Sequence, residues 1–231
     1  MVAITRRVAA TALMPTDPGY GAEQRSAQVL FSDWTPKNPA PHAENVEVYS
    51  NGKEVELFLN GQSLGVKPLN NDASPRNWRV AYAPGTLKAV AKNDGKIVAT
   101  AELRTAGVPA KIMLTSDAGT VTNNWDGVVR VTATVTDKND VVVPDATNRV
   151  SFKISGPGVI AALDNDDINA ALDNSGDTVS HESFQASECR AFQGAVFAFV
   201  KATASSGRIT LTASAPGLTG NSATIKISEP H

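Results

Sequence analysis

Val55-Glu56-Leu57-Phe58-Leu59-Asn60-Gly61-Gln62 is the stretch that decides the fold. Val55, Leu57 and Leu59 alternate with Glu56 and Phe58, the period of two that marks a strand with one buried face. Asn60 and Gly61 both tolerate φ > 0, so they predict a two-residue type I′ turn, with Gln62 to Val66 as the returning strand. The same texture extends in both directions. Upstream, Asn45 to Tyr49 sets Val46 and Val48 on one face before the turn Ser50-Asn51-Gly52, and Val29-Leu30-Phe31 leads into Trp34 and a Pro-rich loop. Downstream, Trp78 to Tyr82 is closed by Pro84-Gly85, and Leu87 to Ala91 and Ile97 to Leu103 flank a second hairpin at Asn93-Asp94-Gly95.

Thr105-Ala106-Gly107-Val108-Pro109 breaks the pattern, which then restarts. Lys111 to Thr115, Val128 to Asp137, Arg149 to Ser155, Val159 to Leu163, Ala195 to Thr203, Arg208 to Ala215 and Ala223 to Ile227 read as strands. Seven is the count of one immunoglobulin-like unit. Runs such as Arg130-Val131-Thr132-Ala133-Thr134-Val135-Thr136 suit a pleated surface and disfavour helix. The expected fold is therefore all-β, with two consecutive immunoglobulin-like β-sandwich domains at 28–107 and 108–230. Residues 1–27, with Pro15, Pro18, Gly19 and Gly21 and no sustained period, read as a linker or a stranded piece of something else. The short hinge at Ala106 to Pro109 predicts two domains that do not tumble freely.

A chain of 231 residues with 42% apolar content suffices for two such cores. The net charge of −2 carries no basic footprint, so neither nucleic acid nor a membrane surface is an expected partner. No apolar run approaches the ~20 residues of a membrane-spanning helix. Cys189 is the single cysteine and defines no redox compartment. Met1 to Arg7 lacks the apolar stretch of a signal peptide, so an exported parent would carry its signal upstream.

The residue types of catalysis are present but not arrayed for it. His42 lies in the Pro-rich loop, His181 stands beside Glu182 without a nucleophile elbow, and His231 is the final residue. No spacing suits zinc, no Gly-rich phosphate loop occurs, and no catalytic residue, metal or cofactor is expected. Acidic residues cluster in Asp164-Asn165-Asp166-Asp167-Ile168 and Asp173-Asn174-Ser175-Gly176-Asp177, around a nine-residue repeat of Ala-Leu-Asp-Asn. Calcium needs several such oxygens. Ile168, however, interrupts the ligand spacing, and a polar loop of Asx-turns accounts for the same residues. Tryptophan is the other informative type, because an indole grips a sugar ring through flat apolar area and an N–H donor. Alternation places Trp78 with Val80 and Tyr82, toward a core. Trp125, after Asn123-Asn124, is the candidate for exposure. Trp34 reads either way, so Trp125 and Trp34 are the candidate carbohydrate-binding residues.

Val46-Glu47-Val48-Tyr49-Ser50-Asn51, followed by Glu54 to Gly65 (EVELFLNGQSLG), resembles the segment after the catalytic barrel in β-galactosidase-like enzymes of glycoside hydrolase family 2. Leu30-Phe31-Ser32-Asp33-Trp34 is similar to the short strand that precedes that segment. Gly156-Pro157-Gly158-Val159 to Asp164-Asn165, Ser180 to Gln185, Arg190 to Gly194 and Ile209 to Leu218 resemble the last domain of the same enzymes. The resemblance implies a bacterial, non-catalytic accessory region whose partner is the parent's catalytic barrel, with a second copy of the chain as a further partner; the alternative reading, from the exposed aromatics, is a carbohydrate-binding module with carbohydrate as its partner. Neither Glu54 nor Glu56 inherits a catalytic role from it. Alternation also points Phe58 outward, which calls for a cover: the barrel, residues 1–27 or self-association.

Overall fold

The computed structural model describes residues 1–9, 28–165 and 186–228. The chain divides into two compact units, Met1–Thr105 and Ala106–His231, and every regular element among the described residues is a strand.

In unit 1, β1 (Val2–Ala9), β2 (Gln28–Phe31), β3 (Ala43–Ser50) and β6 (Arg76–Ala81) form one sheet in the order β2-β1-β3-β6. The other sheet holds β4 (Glu54–Leu59), β5 (Gln62–Pro68), β7 (Thr86–Asn93) and β8 (Lys96–Arg104) in the order β5-β4-β7-β8. Between them lie Ile4, Trp34, Val46, Val48, Val55, Leu57, Trp78, Val80, Tyr82, Leu87, Ala89 and Ala91. Each fully buried Leu or Val there contributes about 1.5–3 kcal/mol relative to exposure.

The hairpin at Asn60-Gly61 has φ of 51° and 82°, and Leu59 pairs with Gln62 across it. Only glycine adopts the second of these without strain. Glu56 pairs with Val66 and Phe58 with Ser63, so the extra residue of a bulge falls in β5, near Gly65, and not in β4. β4 therefore keeps its alternation: Val55 and Leu57 are fully buried, and Phe58 is half-buried on the outer face.

One expectation is corrected. Residues 1–27 do not all lie outside the sandwich, because Val2–Ala9 pairs with β3 from Val2↔Ser50 to Arg7↔Asn45 and buries Ile4. β1 lies in the sheet opposite Phe58 and so does not cover it. Residues 10–27 lie outside the described residues.

In unit 2, one sheet runs β10-β17-β16-β12-β14, built from β10 (Thr120–Thr122), β12 (Arg149–Ser155), β14 (Glu188–Arg190), β16 (Gly207–Ser214) and β17 (Asn221–Ser228). The other runs β13-β15-β11-β9, from β9 (Lys111–Ser116), β11 (Val129–Thr136), β13 (Gly158–Asp164) and β15 (Ala195–Ala202). Val131, Val135, Phe152, Val196, Val200, Ile209, Leu211 and Ile225 carry its core. β10 and β14 are additions to the seven strands legible in sequence. At three residues each they are too short to show alternation.

Asp137 ties down the start of this unit. Its carboxylate accepts from the backbone N–H of Gly107 and Asn139 at 2.8 Å and of Val141 at 3.0 Å. Burial pushes this carboxyl up, but the N–H groups of Gly107, Val141 and Asn139 and the charge of Lys111 outweigh it, so the net direction is below the usual carboxylate range.

Candidate functional site

The two tryptophans singled out in the sequence, Trp34 and Trp125, mark two candidate places. The first lies at one end of unit 1. Alternation along β1 puts Arg6 on the same face as Ile4, and along β3 puts Glu44 on the face of Val46. The Arg6 guanidinium donates to Asp33 Oδ1 at 2.8 Å and to Glu44 Oε1 at 3.2 Å, and it packs 5.7 Å from the centre of the Phe31 ring. Asp33 Oδ1 also accepts the Thr35 N–H at 2.7 Å.

His42 Nε2 lies 2.7 Å from Glu44 Oε1 and Nδ1 lies 2.6 Å from the Ala40 carbonyl. Both partners are acceptors, so the ring satisfies both only as imidazolium. The Ala40 carbonyl and then the Glu44 carboxylate raise its pKa above the ordinary histidine value, against the opposing effects of burial and Arg6. Trp34 is fully buried, donates its indole N–H to the Ala83 carbonyl at 3.0 Å, and packs with its ring tilted 58° against Tyr82 at a centroid distance of 5.3 Å.

This arrangement is closed on itself. A pair of carboxylates that hydrolyses a glycoside faces a cleft and stands ~5–10 Å apart across the sugar. Glu44 and Asp33 instead share one buried guanidinium, with 9% and 17% of their side chains exposed. The expectation for Trp34 as a sugar-binding residue is corrected here, because both faces of its ring lie inside the core. No reading of sequence had joined Arg6, Asp33 and Glu44; the signal available was a charged residue at a core position of the Val2, Ile4, Arg6 alternation.

Elsewhere in unit 1, Trp78 is buried as alternation predicts, with the Lys67 ammonium 5.1 Å from its ring centre. A depression lined by Lys53, Glu54, Val66, Pro68, Asp94 and Gly95 carries the Lys53–Asp94 ion pair at 2.7 Å. Among the described residues no group of His, Cys, Asp and Glu is placed to hold a metal ion. The acidic stretch considered for calcium lies mostly outside the described residues, as do His181 and His231. Asp164, which is described, accepts the Asn165 N–H in an Asx contact at 2.7 Å.

The second place lies in unit 2. Asn124-Trp125-Asp126-Gly127 is a tight turn in which the Gly127 N–H approaches the Asn124 carbonyl at 3.4 Å. A Cβ on Gly127 would stand 2.1 Å from the Thr122 carbonyl oxygen, so no other residue closes this turn. Lys201, on β15, donates from Nζ to the Trp125 carbonyl at 2.7 Å. The backbone is braced while the Trp125 residue remains 88% exposed, the reverse of Trp34.

Comparison with known proteins assigns the chain to a setting. Residues 112–224 match the glycoside hydrolase family 2 C-terminal domain 5, and residues 43–99 match a domain of unknown function, DUF4982. A β-galactosidase of Bacteroides ovatus is 37% identical over 211 residues, which is 90% of this chain and 23% of that protein. A glycosyl hydrolase family 2 member from Bacteroides cellulosilyticus superposes with a TM-score of 0.78 at 30% identity, over 98% of this chain and 28% of that one. A β-glycosidase from Bacteroides vulgatus does so with a TM-score of 0.73 at 31% identity, over 84% and 24%. The chain thus spans about a quarter of the length of these relatives.

Proposed function

Because the chain belongs to the C-terminal region of glycoside hydrolase family 2, we propose that it is a non-catalytic accessory region of a β-galactosidase-like parent. It supports the parent's catalytic domain, the rim of its cleft or its oligomer. The observation that carries this reading is that nine-tenths of the chain aligns with less than a quarter of a β-galactosidase. The polar interior of unit 1 agrees with it, since Asp33 and Glu44 are engaged with Arg6, and His42 with Glu44. A chimera tests it. With this chain in place of the matching quarter of the Bacteroides ovatus relative, the expected result is retained β-galactosidase activity and stability. A chimera that folds but loses turnover would show that the region does more than support.

A second reading, carbohydrate binding through exposed aromatics, is favoured by the presentation of Trp125 on its braced turn.

A further inference from the structure

The turn that carries Trp125 is fastened to the outer face of the β13-β15-β11-β9 sheet, and the register shows what else lies at that end. Along β15, Val196, Ala198 and Val200 are buried, so Phe197, Phe199 and Lys201 project outward, each half-buried. Val159 of β13 pairs with Lys201, and Arg130 of β11 pairs with Phe199. Val128 immediately precedes β11. Val128 and Val159 are 44% and 45% exposed. Farther along the same face β11 presents Thr132 and Thr134, beside the half-buried Met113, so the most exposed apolar side chains of this sheet face, Val128 and Val159, lie at the Trp125 end.

The cations at this end are not paired with carboxylates. Arg130 sits over the Phe197 ring at 5.6 Å, and the Lys201 ammonium donates to a backbone carbonyl; neither is within ion-pair distance of Asp or Glu among the described residues. An ammonium carries three donors and a guanidinium five, so most of their hydrogen-bonding capacity is open to a ligand rich in oxygen.

Size separates the classes of occupant. A stable protein interface buries about 800 Å² on each side around an apolar centre. Three exposed apolar side chains, Trp125, Val128 and Val159, fall short of that, whereas one indole face matches a sugar ring.

We propose that the Trp125 end of this outer face is a glycan-binding site, taking a polysaccharide chain with one pyranose ring stacked on Trp125 and its oxygens accepting from Lys201 and Arg130. The inference rests on the second reading above and gives it a site and a ligand class. The accessory role stands independently, because the chimera does not require Trp125.

Affinity electrophoresis of the full chain through gels containing galactan or polygalacturonate tests the site and tells a neutral source of pyranose rings from an acidic one. Retardation is expected in at least one gel, lowered about tenfold in apparent affinity by Trp125→Ala with an unchanged melting curve. Replacing both cations, Lys201→Met with Arg130→Gln, is expected to lower it about threefold. Migration unaffected by both polysaccharides overturns the proposal, as does retardation that survives Trp125→Ala. A dimer in sedimentation that Trp125→Ala dissolves also overturns it, by making the patch a protein interface.

Discussion

Trp34 and Trp125 are each flanked in sequence by an aspartate, Asp33 and Asp126, yet one is fully buried and the other 88% exposed. At the Trp34 end of unit 1, Arg6 meets Asp33 and Glu44, His42 meets Glu44, and the indole N–H meets Ala83. At the Trp125 turn of unit 2, Lys201 holds only the backbone and leaves the ring to solvent. The chemical type of a residue therefore does not locate function. What matters is whether its hydrogen-bonding capacity and apolar surface are already satisfied by the fold.

Replacing Arg6 with Met leaves Glu44 and Asp33 as partly desolvated carboxylates without their shared cation. The expected loss is about 3–5 kcal/mol in the unfolding of unit 1, read by urea titration. A loss below about 1 kcal/mol would mean that water reaches the network and that the Trp34 end is not closed. Asp137→Ala strips three backbone N–H groups of their acceptor and is expected to cost roughly 3 kcal/mol in unit 2. Asp137→Asn, which keeps an acceptor oxygen, should recover part of it.

The His42 prediction concerns pH. Its folded pKa is raised, so its contribution is fully present below the unfolded value of about 6.5 and is lost as pH rises through the folded value. Melting temperatures of wild type and His42→Gln should therefore diverge on acidification from neutral pH and converge on the alkaline side. A difference that is flat across this range contradicts the imidazolium assignment. The smallest effect on stability is at the exposed tryptophan, where Trp125→Ala is expected to change the unfolding free energy by less than about 0.5 kcal/mol. A larger loss would place Trp125 in the same structural class as Trp34.

Much of the fold was legible before the structure. Val55, Leu57 and Leu59 announced their strand, and Asn60-Gly61 and Asp94-Gly95 announced turns whose φ values are all positive. β1 escaped because its face reads Val2, Ile4, Arg6: the charged residue interrupts the apolar alternation, and the partners that make it tolerable are 27 and 38 positions away. Trp34 was ambiguous for a related reason. It sits in a loop without periodicity, and its burial depends on a carbonyl 49 residues downstream. Trp125 was easier to place, since it follows Asn123-Asn124 at a junction from loop to strand. Its brace, Lys201, is 76 positions away, and only the fold brings the two together.

In the proposed role this chain supports a glycosidase and does not itself cleave glycosides. The direct measurement is release of the aryl group from aryl β-galactosides and aryl β-glucuronides by the purified full chain, expressed in a host lacking its own enzymes for both. The predicted result is a rate indistinguishable from buffer across the range from mildly acidic to mildly alkaline pH. Steady turnover that scales with chain concentration and falls in Glu44→Gln would contradict it.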